Sequence, residues 1–539
     1  MLKKILITLV FCLLCTSLVF AAGAQEKVEV WPDRLIEALS PTTGETHRFW
    51  TVHNWEMLNP ALESLVGHDP ETGEYAPNQL AESWSHNDTV TEWTFHLREG
   101  VQFHYGWGEV TSDDVVHSFH LQTGDDAVVP GVEQIRDAEV TAVDRYTVRF
   151  AFDNPQPDFL FLHGGRTVMF IYSKAQYDKE GLAGYDRQLV GTGPYKFVER
   201  SPGRILYRSV EDHYCGVEPA FKELEIRFID EASTRLAMLM TGEAHIAEIP
   251  RELHQEAVAA GLGLIRSTGS SMQTNIAMNG LYGSTVDGEI DPAYRPDLPW
   301  ANVKIREAIN IAINRQEMVD VLFYGLADLV TVYGMGKGHT GYDPKFEKMF
   351  EEQYAYNPER ARELLKEVNY PDAFPDPVIP LVIIPLSGQP EVPLQMELVQ
   401  QYLDNVGFQT RIIEYDSPRV AALGRAREAY FLHPMRNAPI RPTQVALQAF
   451  YTRPRGPYQG YESDKSIGYF IALQASVDPD ERQKIATEAF TYLFEQYSSV
   501  PLFEVPTVVV VDPKVIGQWV FPGVTNNGIS HWHLIEPAR

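Results

Sequence analysis

Cysteine is almost absent from this sequence, because 539 residues contain only 3, at positions 12, 15 and 215. The first two lie in an N-terminal segment that we expect to be removed, so no intramolecular disulfide can form in the remaining chain. Stability must then come from the burial of apolar side chains, which a chain of this length can supply. We expect Cys215 to be a packed small residue and not a nucleophile.

Long runs of one charge sign are absent as well. The chain has 73 acidic and 45 basic residues, a net charge of −28, and the two signs are mixed along its length. Nucleic acid and anionic lipid attract proteins through clusters of lysine and arginine. The composition therefore argues against both as partners.

The sequence also lacks the motifs of common enzymes: it has no G-x-x-x-x-G-K-[ST], no H-E-x-x-H and no G-x-S-x-G. The segment Gly336–Gly341 fits G-x-G-x-x-G, but Tyr342–Pro344 follows where a dinucleotide-binding motif would continue into an apolar helix. We interpret this segment as a loop and predict no cofactor. His531 and His533 form an H-x-H pair without further ligands that we can place, so we predict no metal site.

The N-terminal segment 1–24 has the features of a secretory signal peptide. Lys3 and Lys4 are followed by an apolar core over 5–20 and by the small-residue cleavage site Ala22–Ala24. The apolar core is shorter than the roughly 20 residues that a membrane span needs. We predict an exported, periplasmic protein that is cleaved near Ala24; the alternative is an uncleaved anchor.

Apolar periodicity indicates both strands and helices. Trp93, Phe95 and Leu97 alternate with polar residues, which is typical of a half-buried strand. Asn302, Asn357 and Asp478 each precede an apolar stripe at helical spacing, and Gly407 follows another such stripe. Irregular alternation of the two element types predicts the α/β class, with mixed sheets flanked by helices.

Several segments, in the right order, resemble one known family. The first is Glu63–Asp114, which includes the words AESW and FHLREGV. The others are Gly191–Phe197 (GTGPYKF), Phe221–Glu248, Val303–Gly325, Tyr354–Tyr370 and Met396–Gly407. They resemble the extracytoplasmic solute-binding proteins of family 5, the peptide- and nickel-type substrate-binding subunits of ABC importers.

The resemblance implies a two-lobed clamshell of the type II periplasmic-binding-protein class, with an extra inserted domain. We expect lobe I to combine residues 25–60, 192–282 and 500–539, and lobe II to span 283–499. The inserted domain would take 61–191. Two strands would cross between the lobes, and the solute would lie in the cleft that closes around it.

The resemblance also points to residues that would line the cleft. We predict that the solute contacts Trp55, Trp107, Asn275, Asn279, Met435, Arg436, Asn437 and Arg441. In peptide-binding relatives an acidic residue in this last segment holds the peptide's α-amino group. Here Arg441 stands before Pro442, with Arg436 five residues earlier, so the charge is reversed. Two guanidinium groups suit a carboxylate or a phosphate.

The sequence therefore predicts a monomeric periplasmic binding protein that delivers a solute to a permease and its ATPase. The solute is a peptide by family default, and an oligosaccharide or an anionic solute are the alternatives. A ligand-sensing subunit for a receptor would share the fold. A hydrolase is the hypothesis from a different class, and we predict that the protein is not an enzyme.

Overall fold

The structure is a computed structural model. It describes residues 32–41, 46–52, 58–127, 135–160, 170–283, 285–286, 289–337, 339–384, 391–437, 442–451, 460–523 and 529–539. In the two short strands at 285–290 only the backbone is described. No helix in these ranges is long and apolar enough to cross a membrane.

The first half of the chain forms strands β1–β11 and helices α1–α5. The strands are Arg34–Leu39, Gly67–His68, Tyr75–Ala76, Ala81–His86, Glu92–Leu97, Glu139–Asp144, Thr147–Ala151, Tyr195–Ser201, Arg204–Ser209, Glu223–Phe228 and Ile246–Ala247. The helices are Phe49–Val52, Ser112–Gln122, Lys174–Arg187, Ala232–Thr241 and His254–Ala259.

The second half forms strands β12–β21 and helices α6–α14. The strands are Gly263–Met278, Thr285–Val286, Glu289–Ile290, Asp328–Leu329, Ile379–Ile383, Thr410–Glu414, Leu432–Asn437, Ser499–Val511, Ile516–Gln518 and Glu536–Pro537. The helices are Val303–Ala312, Arg315–Phe323, Lys345–Gln353, Pro358–Glu367, Val392–Val406, Ser417–Ala426, Thr443–Tyr451, Asp464–Ala475 and Pro479–Glu495.

The helix ends follow the predicted capping residues. The side chain of Asn302 accepts a hydrogen bond from the Lys304 amide at 3.0 Å, which starts α6. Asp478 accepts one from the Glu481 amide at 2.8 Å, which starts α14. Gly407 ends α10 with φ 107°, in the left-handed region that favours glycine. These predictions are confirmed.

One large mixed sheet runs through the molecule. Its strand order is β17-β16-β18-β12-β19-β11-β1-β10-β9-β8, with β15 also paired to β19. The antiparallel order β4-β5-β7-β6 forms a separate sheet in the segment predicted as the inserted domain. The α/β class with mixed sheets and flanking helices is confirmed.

The two largest of the four hydrophobic cores in the described residues lie on either side of the middle of this sheet. The lobe II core gathers buried side chains between Ile276 and Val505. The lobe I core takes side chains between Leu35 and Ile246 and again from Val509 onward, and it includes those of the separate sheet. Within the described ranges, β12 and β19 are the long continuous strands that contribute to both sides. The boundaries 282/283, 499/500, 60/61 and 191/192 stay predictions.

The pairing of β12 with β19 is interrupted between the cores. Its register shifts between Arg266 and Ser270 and again before Met272. Ser270 stands opposite Pro506, which has no N–H to give to the ladder. Gly269 donates instead to the carbonyl of Pro522 at 3.0 Å. The two strands therefore cross from lobe to lobe through a stretch with few ladder bonds.

The GTGPYKF segment carries the chain back from the inserted sheet to β8. A Cβ on Gly191 would lie 2.0 Å from the carbonyl oxygen of Ala61, so only glycine fits this close crossing. Beside it, Thr192 donates to Glu63 at 2.8 Å, and the Tyr214 hydroxyl donates to the other carboxylate oxygen at 2.8 Å. Burial raises the pKa of Glu63 to about 7.

Because of Glu63, the free energy of unfolding should fall as the pH rises. Its folded-state pKa of about 7 lies above an ordinary value of 4.5, so the folded state holds the proton that the unfolded state has lost. Between these two values the free energy of unfolding should drop by about 3 kcal/mol on account of this group. Denaturant titrations of wild type and Glu63→Gln at pH values across this window test this. The free energy of unfolding of the variant, relative to that of wild type, should rise by that amount as the pH increases.

The exposed Glu352, which pairs with Lys348 on α8 at 3.6 Å, supplies the matched control. Glu352→Gln removes a carboxylate from the surface, and its stability difference from wild type at each pH serves as the reference. A Glu63→Gln difference with the same pH profile as this reference would contradict the assignment.

Candidate functional site

The carboxyl ends of the parallel strands from both lobes point toward one gap. Strand β19 runs from the lobe II core to the lobe I core and is antiparallel to β11 and β12. Strand β1 is parallel to β11, so both end facing lobe II. Strand β18 is antiparallel to β12 and parallel to β16, so these two end facing lobe I.

Ligands of open α/β sheets bind outside the carboxyl ends of the strands. The gap between the ends of β1 and β11 and the ends of β16 and β18 is therefore the candidate site. We call it the interlobe site.

The lobe II wall of this site carries two buried asparagines with side-chain amide atoms that have no hydrogen-bond partner among the described residues. Asn437 stands opposite Gln273, and Met435 stands opposite Asn275, so Asn275 and Asn437 are diagonal neighbours on one face. They are 2% and 3% exposed. Neither amide atom of Asn437, nor Oδ1 of Asn275, has a partner in the described part of the chain. Such groups cost about 1–3 kcal/mol each, which a bound polar ligand would offset.

Gln273, the neighbour of both, has its hydrogen bonds satisfied. Its amide donates to Glu504 at 2.7 Å and to the Met335 carbonyl at 2.8 Å, and its oxygen accepts from Gly334 at 3.1 Å. Burial raises the pKa of Glu504. Gln273 thus fixes the glycine-containing loop that follows β15, where we predicted a loop instead of a dinucleotide site.

Asn279 lies beyond the end of β12. Its side-chain nitrogen lies 3.0 Å from Nδ1 of His433, and its backbone carbonyl accepts a hydrogen bond from the Trp300 indole at 2.8 Å. Burial lowers the pKa of His433 to about 3, so the imidazole is neutral. These contacts tie Asn279 to its own lobe, although its Oδ1 has no partner among the described residues.

Arg436 occupies the other face of β18 from Met435 and Asn437, because side chains alternate along a strand. It is exposed, whereas Met435 and Asn437 are buried. Its side chain therefore leaves the strand on the face opposite to that of Asn275 and Asn437.

The other three predicted contacts are placed differently or lie outside the described ranges. Trp55 and Arg441 fall outside the described residues. Trp107 is half-buried against the lobe I core, and the Lys179 ammonium lies 5.0 Å from the centre of its ring. These contacts of Trp107 lie within the inserted segment. The role of all three residues stays a prediction.

The lobe I wall contains a carboxylate that the sequence reasoning did not select. Glu248 follows β11 and accepts hydrogen bonds from the amide and the hydroxyl of Ser40, which follows β1. Arg235 donates to the Glu248 carbonyl at 2.7 Å and to the Ile229 carbonyl at 2.6 Å. The sequence signal that could have identified this wall is the polar residue directly after each of the strands β1 and β11.

Two predictions concern cysteine and histidine. Cys215 is exposed, so the prediction that it is packed is wrong: it follows Tyr214 in a surface turn, with its sulfur 2.8 Å from Nδ1 of His213. Surrounding groups still remove part of the water from its sulfur, and this desolvation raises the pKa of the thiol and disfavours the reactive thiolate. Burial lowers the pKa of His531 to about 4 and that of His533 to about 3.

The chain belongs to the bacterial extracellular solute-binding proteins, family 5, whose profile matches residues 76–463. The family resemblance and the two-lobed fold that it implied are confirmed.

Two curated relatives are similar over most of the chain. The glutathione-binding protein GsiB of Salmonella typhimurium is 25% identical over 464 residues, which cover 83% of this chain and 84% of GsiB. The dipeptide-binding protein of Escherichia coli is 26% identical over 428 residues, or 74% of each chain.

Among solved structures, an ABC transporter substrate-binding protein from Sinorhizobium meliloti superposes with a TM-score of 0.76. It is 19% identical, and the match covers 94% of this chain and 100% of that one. At this identity the likeness shows the fold alone.

Asn437→Leu should stabilise the protein without bound solute, because it removes two buried amide atoms that have no partner in the described ranges. The expected gain in the free energy of unfolding is about 1–3 kcal/mol. The matched control is Asn310→Leu. Asn310 is fully buried, but it donates to the carbonyls of Arg306 and Ser499 at 3.0 and 3.1 Å and accepts from Arg315.

The control should lose stability, since its hydrogen bonds would be broken. Denaturant titration of both variants separates the two cases. Equal losses for Asn437→Leu and Asn310→Leu would show that Asn437 has a structural role only.

Proposed function

We propose that this protein is the periplasmic substrate-binding subunit of an ABC importer. It captures a solute in the interlobe site and delivers it to the permease and ATPase subunits. The observation that carries the proposal is the convergence of strand carboxyl ends from both lobes on buried amide atoms for which the described part of the chain supplies no partner. Family membership supports the same function.

The solute that we propose is a short peptide. Two relatives are named for dipeptide and for glutathione, which both contain peptide groups. The amides of Asn275 and Asn437 suit such a ligand, because a side-chain amide pairs with a peptide N–H and C=O at once. The carboxylates of Glu248 and Glu504 would offer partners to an ammonium group.

An anionic solute or an oligosaccharide is the second candidate. The exposed Arg436 at the end of β18 favours the anionic case, and Arg441 in the adjacent segment would add a second guanidinium. In that case a free peptide amino group would meet like charge, which costs several kcal/mol in a dry cleft.

The expected setting of this function is the periplasm, after cleavage of the signal peptide at residues 1–24, with the protein as a monomer. The signal segment lies outside the described residues. A receptor-coupled sensing subunit would use the same cleft, and adjacent permease and ATPase reading frames would favour transport.

Native mass spectrometry of the purified protein should reveal a carried-over solute. Calorimetry with glutathione, dialanine and N-acetyl-dialanine should then show micromolar binding of at least one free peptide, and Asn437→Leu should lose this binding.

Stronger binding of the acetylated peptide would favour the second candidate. In that case Arg441→Asp should weaken the binding of the solute by about 2–5 kcal/mol. Failure of every peptide to bind, together with a non-peptide mass in the spectrum, would contradict the peptide proposal.

A further inference from the structure

An ion pair joins lobe I to lobe II beside the interlobe site. Arg251 lies in a short 3₁₀ turn, Arg251–Leu253, just after β11. Its guanidinium is 3.1 Å from the carboxylate of Glu391, which precedes α10. The guanidinium carbon also lies 5.5 Å from the ring centre of Phe323, a lobe II core residue. Arg251 therefore packs on the opposite lobe.

A second ion pair of opposite polarity joins the inserted segment to lobe II. Arg482 near the start of α14 places a guanidinium nitrogen 3.8 Å from Asp158. Asp158 directly precedes Phe159, a fully buried residue of the lobe I core. Val477, just before α14, also packs against that core. The part of lobe II around the start of α14 therefore packs against the inserted segment.

Arg482 is held within its own lobe by other contacts. It donates to the carbonyls of Leu473 and Ser476 at 2.7 and 3.0 Å, and it approaches the side-chain oxygen of Gln444 at 3.5 Å. Gln444 belongs to α12, the helix that follows β18. The Asp158–Arg482 contact is therefore linked to α12.

Both contacts involve charges that are largely removed from water. The side chains of Glu391 and Arg482 are 8% and 7% exposed. Burial raises the pKa of Glu391 and of Asp158 despite their arginine partners. Desolvation thus offsets much of the attraction in each pair, and such pairs contribute little net stability while they fix geometry. Contacts of this kind can form and break as the lobes close and open.

We propose that Arg251–Glu391 and Asp158–Arg482, the two closing pairs, hold lobe II against lobe I and the inserted segment in the closed form. The inserted segment thereby takes part in retaining the solute, because one of the pairs is its own. The retention role rests on the proposed function, whereas closure by the two pairs does not.

The test measures closure without any solute. Spin labels replace Val143 on β6 and Ile471 on α13, which are 56% and 57% exposed, in a background with the 3 cysteines changed to serine. Electron–electron double resonance should give a short, closed distance in the otherwise unaltered protein. In Asp158→Asn/Glu391→Gln the ratio of closed to open molecules should fall about tenfold, because the closed form would then remove the Arg251 and Arg482 guanidinium groups from water without their carboxylate partners.

Each single variant should give an intermediate ratio, and the single variants replace the double variant if it fails to fold. The matched control is Glu363→Gln, which removes a pair with Arg360 at 3.0 Å within α9 of lobe II. The exchange Arg251→Glu/Glu391→Arg should restore the closed fraction that Glu391→Gln loses.

An unchanged distance distribution in the double variant, or an equal loss in Glu363→Gln, would overturn the proposal. So would a protein that shows no closed population before any substitution. Titration with glutathione then separates the two claims. If the double variant loses closure and no glutathione binds to the protein, the proposal about the closing pairs stands. Only the proposed peptide ligand is then contradicted.

Discussion

The pairing of β12 with β19 is the constraint on which the rest of this structure depends. These strands, 16 and 13 residues long, are hydrogen-bonded to each other on both sides of the crossing. Their direction fixes the direction of every parallel strand beside them, so the carboxyl ends from both lobes meet at one level. The site's position is thus a consequence of strand polarity. The register is broken between Arg266 and Met272, and we expect the hinge between the lobes to lie there.

Binding in such a gap depends on polar groups that the protein itself leaves unsatisfied or weakly paired. Asn275 and Asn437 are buried without partners for their amide oxygens in the described chain, whereas Gln273 between them is fully engaged. The two closing pairs are also weakly stabilising, because burial offsets the attraction between their charges. A solute that bridges both walls adds contacts available only in the closed form, and it shifts the population toward that form.

Local features of this fold were readable from the sequence, and long-range ones were not. Asn302, Asp478 and Gly407 act on backbone groups within a few residues, so their capping roles were predictable. The partners of Glu63 lie 129 and 151 residues away, and Arg251 meets Glu391 at a separation of 140. No periodicity specifies such pairs. Cys215 was predicted to be packed because small apolar residues usually are, but its turn is at the surface. The two-lobed fold was predicted from the segments that resemble family 5. Composition alone does not indicate such a fold.

The central claim is that one solute contacts the carboxyl ends of strands from both lobes at once. Hydrogen–deuterium exchange of the purified protein, with and without the solute that native mass spectrometry identifies, tests it most directly. The account predicts simultaneous protection of backbone amides near Ser40 and Glu248 in lobe I and near Asn437 in lobe II, together with slower exchange at the crossing of β12 and β19. Protection confined to one lobe, with the crossing strands unchanged, would contradict it.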